Sequence, residues 1–153
     1  MGAEPQKLVD SKELINLYLD ISEEIFSKLT FDKSNLDITS RFLFFLSLEK
    51  SFDCLADSIL NQMGIDLPDA ESLNAKAKWN KLALEPSLKN IIFKEQQPDG
   101  FIFDFYNVKD KLYTPVNDSI IISNQTNNLK KYILILDSYK RFTLLLRKTL
   151  DEC

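Results

Sequence analysis

The sequence contains no histidine. That absence removes the commonest general acid or base near neutral pH and the commonest transition-metal ligand. Catalytic triads built on an imidazole are excluded. Glycine is scarce too: Gly2, Gly64 and Gly100 are the only three, and they are too scattered to form a phosphate-cradling loop. So few glycines, with five prolines, argue against a turn-rich all-β fold. The two cysteines, Cys54 inside an apolar pattern and Cys153 at the last position, do not make a disulfide framework. Cys54 reads as a small core residue rather than a reactive thiol. No apolar run reaches the ~18 residues of a membrane span. The stretch from Met1 to Lys7 is polar and carries no secretion signal, so a cytoplasmic location is expected. Charge of one sign is also lacking. The 19 basic and 23 acidic residues leave a net −4, which is not the footprint of a chain that coats nucleic acid or an anionic membrane by bulk charge.

What is present suits one domain. The 153 residues are 44% hydrophobic and 27% charged, enough for a core without metal or disulfide staples. Residues 1–9 read as a tail and 10–153 as a single helical domain. Asp10 and Glu13 can form a capping box. Leu14, Tyr18, Ile21, Ile25 and Leu29 then follow at steps of three and four, which predicts a helix over about 11–30. Asp37 can cap a second helix, in which Ile38, Phe42, Phe45, Leu48, Phe52, Leu55, Ile59 and Met63 keep that spacing. Phe44, Leu46, Cys54 and Leu60 widen its stripe, so it should be central and buried on more than one side. Gly64 suits a left-handed stop. Pro68 and Asp69 open a weaker helix through Leu73, Ala77 and Leu82, and Pro86 suits the first turn of another with Leu88, Ile91 and Ile92. Pro98-Asp99-Gly100 marks a turn.

Phe101, Phe103 and Phe105 alternate like a strand, whereas Phe101, Phe105, Val108 and Leu112 step like a helix. The helical pattern covers more of 101–113 and is preferred, with Pro115 as its stop. A short extended piece is expected at 119–123. A last helix over about 127–150 carries Leu129, Tyr132, Leu136, Tyr139, Phe142, Leu146 and Leu150. The expected fold class is all-α: a four- to five-helix bundle with long second and last helices.

Residue groups that could carry chemistry are few. Asp53 and Asp57, four apart, share a helix face and could hold a hard cation such as Mg²⁺ in a metal-dependent enzyme, although a solvated face is the plainer reading. The C-terminal third is the more basic part, with Lys109, Lys111, Lys130, Lys131, Lys140, Arg141, Arg147 and Lys148. Tyr106, Tyr113, Tyr132 and Tyr139 are interleaved with them. Stacking on tyrosines with lysines on phosphates is one way to hold a single strand. The alternative is tyrosines at the core edge and lysines on solvated faces.

The segment Val108-Lys109-Asp110-Lys111-Leu112-Tyr113-Thr114-Pro115 resembles the signature of the HEPN domains (higher eukaryotes and prokaryotes nucleotide-binding). That signature is an Arg, a polar residue and, four to six positions on, a His at the end of an apolar-aromatic helix. Lys109 would stand for the Arg, Asp110 for the polar residue and Thr114 for the His. The order of elements is similar as well, and Leu48-Glu49-Lys50-Ser51-Phe52 with its Gly64 stop resembles the family's second helix. The resemblance implies a catalytically disabled member. Lysine keeps the charge but loses the bidentate fork, and threonine cannot act as a base near pH 7. It further implies a non-enzymatic binding or dimerisation module without cofactors, in a prokaryotic defence or toxin–antitoxin setting. Its cleft would comprise Lys109, Asp110, Tyr113 and Thr114, the partner being a second copy, another protein or RNA. The other expectation is a small subunit of a larger antiviral nucleoprotein, with Lys140 and Arg141 along RNA or DNA.

Overall fold

The computed structural model describes residues 11–67, 72–113 and 129–151. These form six helices and no strand: α1 (Ser11–Ser27), α2 (Asn35–Gln62), α3 (Ala75–Leu82), α4 (Lys89–Glu95), α5 (Phe101–Tyr113) and α6 (Leu129–Asp151). The fold is an all-α bundle. α2 and α6 are its longest helices, with 28 and 23 residues, and the helix reading of 101–113 holds. Each of the six corresponds to a segment whose spacing predicts a helix, and two of them, α3 and α4, are only 8 and 7 residues long. The tail, Asp10, Pro68, Asp69 and the extended piece at 119–123 lie outside the described residues.

α2 owes its sharp ends to local chemistry. Its cap is Ser34, not Asp37: the Asp37 amide donates to the Ser34 hydroxyl at 3.1 Å. Asp37 lies one turn inside and works backwards. Its carboxylate accepts the amides of Phe31 (3.0 Å) and Lys33 (3.1 Å), both held at positive φ, and pairs with Arg41 at 2.8 Å. The left-handed loop between α1 and α2 is thus tied down by one buried carboxylate. At the other end Gly64 stands at φ 69, with its amide on the Asn61 carbonyl and the Ile65 amide on that of Leu60. This is the paired Schellman closure that the glycine promised.

The core is largely aromatic. Phe44, Phe45, Phe52, Trp79, Phe101, Phe105, Tyr132, Tyr139 and Phe142 are all buried. α2 runs through its middle but is not buried all round, since Leu43 and Leu46 stand outside. One polar knot joins three helices. The Ser51 hydroxyl donates to the Ile15 carbonyl at 2.8 Å and lies 2.7 Å from the Tyr139 hydroxyl. Serine has one hydroxyl proton, so the phenol donates the second bond.

Of the expected stripe of α1, Ile25 and Leu29 pack on the core and Leu14 and Tyr18 are half-buried, but its inner face is turned further towards Ile15. Ile15 and Ser22 are buried and Leu19 and Phe26 pack on the core, whereas Ile21 stays exposed. α1 carries two adjacent apolar stripes, and the choice between them falls to its partner. The Ser51 bond and the Phe26–Phe44 ring contact select the Ile15 side. Pro86 also differs from expectation. It follows Glu85, whose carbonyl accepts from both Leu88 and Lys89, so it sits at the corner of a turn and α4 begins only at Lys89.

α5 starts where the Pro98-Asp99-Gly100 turn ends, and the Glu95 carboxylate caps it through the Phe101 amide at 2.7 Å. A Cβ on Gly100 would lie 2.5 Å from the Glu95 carbonyl oxygen. Gly100→Ala must push backbone apart, and is expected to lower the unfolding free energy by about 1–3 kcal/mol. Urea unfolding of the variant checks this. An unchanged midpoint would show that the turn yields freely.

Candidate binding cleft beside the fifth helix

α5 offers two side chains to α2 from one of its faces. The Tyr106 hydroxyl donates to Glu49 Oε2 at 3.0 Å, and Lys109 Nζ pairs with Glu49 Oε1 at 2.9 Å. One carboxylate thus holds both, and Lys109 also lies 5.4 Å from the Tyr106 ring centre. From α3, Lys76 comes to 5.3 Å from the same ring. Burial, then the Glu49 charge and hydrogen bond, push the Tyr106 phenol well above its ordinary range. It stays protonated at neutral pH, a donor and not a base.

Around this group are two depressions. A cleft of about 350 Å³ between α3 and α5 is lined by Lys76, Asn80, Gln96, Phe103, Asn107 and Asp110 among others. Within it the Gln96 amide donates to Asn80 Oδ1 at 3.2 Å. A more open groove of about 460 Å³ between α2, α3 and α5 is lined by Leu46, Glu49, Lys50, Asp53, Asn74 and Lys109 among others. These sizes suit a ligand or a partner's side chains.

Asp53 and Asp57 do share a face, as their spacing requires, but a lysine meets them there. Lys78 Nζ, on a buried residue of α3, lies 2.9 Å from a carboxylate oxygen of each. The ammonium sits between the two oxygens that a divalent ion would have to bridge. Burial acts to lower the Lys78 pKa, and the bonds to Asp57 and Asp53 outweigh it, so the group is held above its ordinary value. Among the described residues no group of three or more Cys, Asp or Glu is placed to hold a metal. The Cys54 thiol is half-buried and is pushed up by burial and by Asp53.

The residues singled out from the sequence are divided between two places. Lys109 and Asp110 belong to the depressions beside α5, with Lys109 mostly buried against Glu49 rather than solvated, and Asp110 on the rim. Tyr113 is the last residue of α5 and Thr114 lies outside the described residues. Lys140 pairs instead with Glu23 of α1 at 2.7 Å, and Arg141 is exposed on α6; neither lines the depressions. Stacking of bases is contradicted for three of the four tyrosines: Tyr106, Tyr132 and Tyr139 are core residues. Glu49, Lys76 and Lys78 carried no local signal of their roles. They matter only because helices distant in sequence bring them to α5, Asp53 and Asp57.

Among the described residues no helix is long and apolar enough to cross a membrane. Comparison with protein-family models, curated proteins and solved structures finds no match.

Proposed function

We propose that this chain is a non-catalytic helical binding module, HEPN-like in layout, that pairs with itself and holds RNA on its closing helix. The observation that carries this reading is the outer face of α6. The whole chain has net charge −4, yet α6 carries six basic residues against two acidic ones. Lys130, Arg141, Arg147 and Lys148, together with Lys140 beside its Glu23 partner, are exposed along about 27 Å of helix, with Leu134, Leu144 and Leu145 between them. Cations interspersed with apolar side chains fit a strand that offers phosphates and bases together. The absence of histidine and a Tyr106 phenol held neutral favour retention of the strand over its cleavage. The same face would serve a small subunit laid along a strand in a larger nucleoprotein, or an acidic protein partner.

Fluorescence anisotropy with a labelled single-stranded RNA tests the reading. The wild-type chain is expected to bind with a steep salt dependence. The triple variant Lys140→Gln, Arg141→Gln, Lys148→Gln is expected to bind at least about tenfold more weakly, with a log–log salt slope shallower by about 2. Equal affinity of wild type and variant, or no binding by the wild type at low salt, would overturn it.

A further inference from the structure

We infer that two copies of this chain pair through the outer face of the α1–α2 hairpin, about a two-fold axis parallel to those helices. This deepens the self-association in the reading above by naming the surface that forms the seam, and it does not depend on RNA binding.

The face is apolar where the core does not require it to be. On α1, Leu17 and Ile21 are 49% and 38% exposed and share a stripe one turn apart. On α2, Leu43 and Leu46 are 48% and 53% exposed, with Leu36 a further two turns before Leu43 and Lys50 one turn after Leu46. α1 buries its opposite side, through Ile15, Leu19, Ser22 and Phe26. The outward stripes of the two helices therefore lie side by side on one surface. α1 spans about 26 Å, and two packed helices are about 20 Å across, so the surface covers about 500 Å² in projection. That is the scale of the ~800 Å² of accessible surface that each partner buries in a standard interface.

The occupant follows from register and charge. The Ser51 bond to Ile15 and the Phe26–Phe44 contact show that residues level with one another have numbers adding to about 66–70. Asp20 and Ile21 of α1 are therefore level with the Leu46–Lys50 turn of α2. A two-fold axis parallel to the hairpin lays α1 of each copy antiparallel on α2 of the other, at the same level. Ile21 then meets Leu43 and Leu46 of the second copy, and Asp20 meets Lys50. The exposed charges fit this exchange at its centre, where α1 brings Asp20 and α2 brings Lys50; of the other exposed charges on α1, Glu24 is already paired with Lys28 at 3.0 Å, and Lys12 and Glu13 lie at the far end. The contact occurs twice, as an isologous interface requires. The other exposed apolar helix, α6, fails the same condition, since its excess of cations would face itself.

Sedimentation of the full chain over a range of concentrations tests the seam, with circular dichroism melts confirming that each variant folds. The wild type is expected to dimerise, and Ile21→Glu with Leu46→Glu, both at exposed positions, to remain monomeric. Asp20→Lys is expected to weaken the dimer about tenfold, and adding Lys50→Glu to restore it. Restoration is the decisive result, because general damage to the surface would not be rescued by a second charge change. If the dimer survives the α1–α2 variants but is lost in Leu144→Glu with Leu145→Glu, the seam is wrong and self-association stands. A charge exchange without restoration overturns the seam as well. A wild type that is monomeric throughout overturns both.

Discussion

Replacing Trp79 by alanine is expected to lower the unfolding free energy by about 3–5 kcal/mol, the usual cost of emptying a large buried aromatic site. Small domains have only about 5–15 kcal/mol in total, so the variant should lie near the edge of stability at room temperature. Trp79 is the only tryptophan and is 1% exposed. Its ring stacks on Phe52 at 4.6 Å, with the planes 5° apart, and meets Phe142 at 5.2 Å. Its indole N–H donates to the Phe52 carbonyl at 3.1 Å. One side chain therefore fills the space between α2, α3 and α6. It also fastens α3, whose 8 residues are too few to hold a helix unaided. Trp79→Phe separates the contributions: it keeps an apolar ring and loses the N–H bond, and should cost less than half as much. Denaturant unfolding followed by circular dichroism measures both. A loss below about 1 kcal/mol in the alanine variant would mean that the aromatic cluster closes over the gap. Trp79 also lines the cleft between α3 and α5, so the loss should loosen that cleft before the bundle melts.

The parts of this fold legible in the sequence are those decided within one or two turns of chain. Gly64 announces a left-handed stop because only a residue without Cβ takes that conformation cheaply, and it stands there at φ 69. The segment 101–113 could be assigned to a helix because its four-three-four spacing outlasts the alternation of Phe101, Phe103 and Phe105. The choice of cap was already harder: Ser34 and Asp37 are three apart, both are good cap residues, and the loop geometry decides. The inner face of α1 was legible only in part: Ile25 and Leu29 pack on the core as their spacing predicts, but Ile21 does not. Ile15 and Ile21 are equally apolar, and only the serine on α2 and the tyrosine on α6 discriminate between them. The cleft was half legible. Lys109 and Asp110 stand at it, but Glu49, which orients Lys109, lies on a helix far away in sequence. The shared face of Asp53 and Asp57 was legible from their spacing, with a solvated face as the plainer reading, but the lysine that reaches them comes from α3.

Alkaline solution should unfold this protein cooperatively, and the tyrosines set the slope. Tyr106, Tyr132 and Tyr139 all have phenols raised above their ordinary value, burial being the chief cause in each case. Arg41 beside Tyr132 acts in the opposite direction without cancelling it. In the unfolded chain these phenols titrate near pH 10. Above that pH the unfolded state has lost protons that the folded state still holds, so stability falls as pH rises. Below it both states are protonated and the contribution is fully present. Each such group removes about 1.4 kcal/mol per pH unit, so the three together remove about 4 kcal/mol per unit. Lys78 adds to this in the same direction, because its folded-state value is also raised above that of a free lysine. A total of about 5–15 kcal/mol would then be exhausted within a few units above pH 10. Urea unfolding at stepped pH should show a plateau from neutrality to about pH 10 and a steep fall beyond it. The part of the phenolate absorbance due to Tyr106, Tyr132 and Tyr139 should rise together with the loss of helix rather than before it. Tyr106→Phe, which removes one phenol at the edge of the core, should reduce the tyrosine part of the slope by about a third. Ionisation of all three tyrosines while the helices persist would show that water reaches them. The aromatic core on which the cleft and both outer faces are mounted would then be far looser than its packing implies.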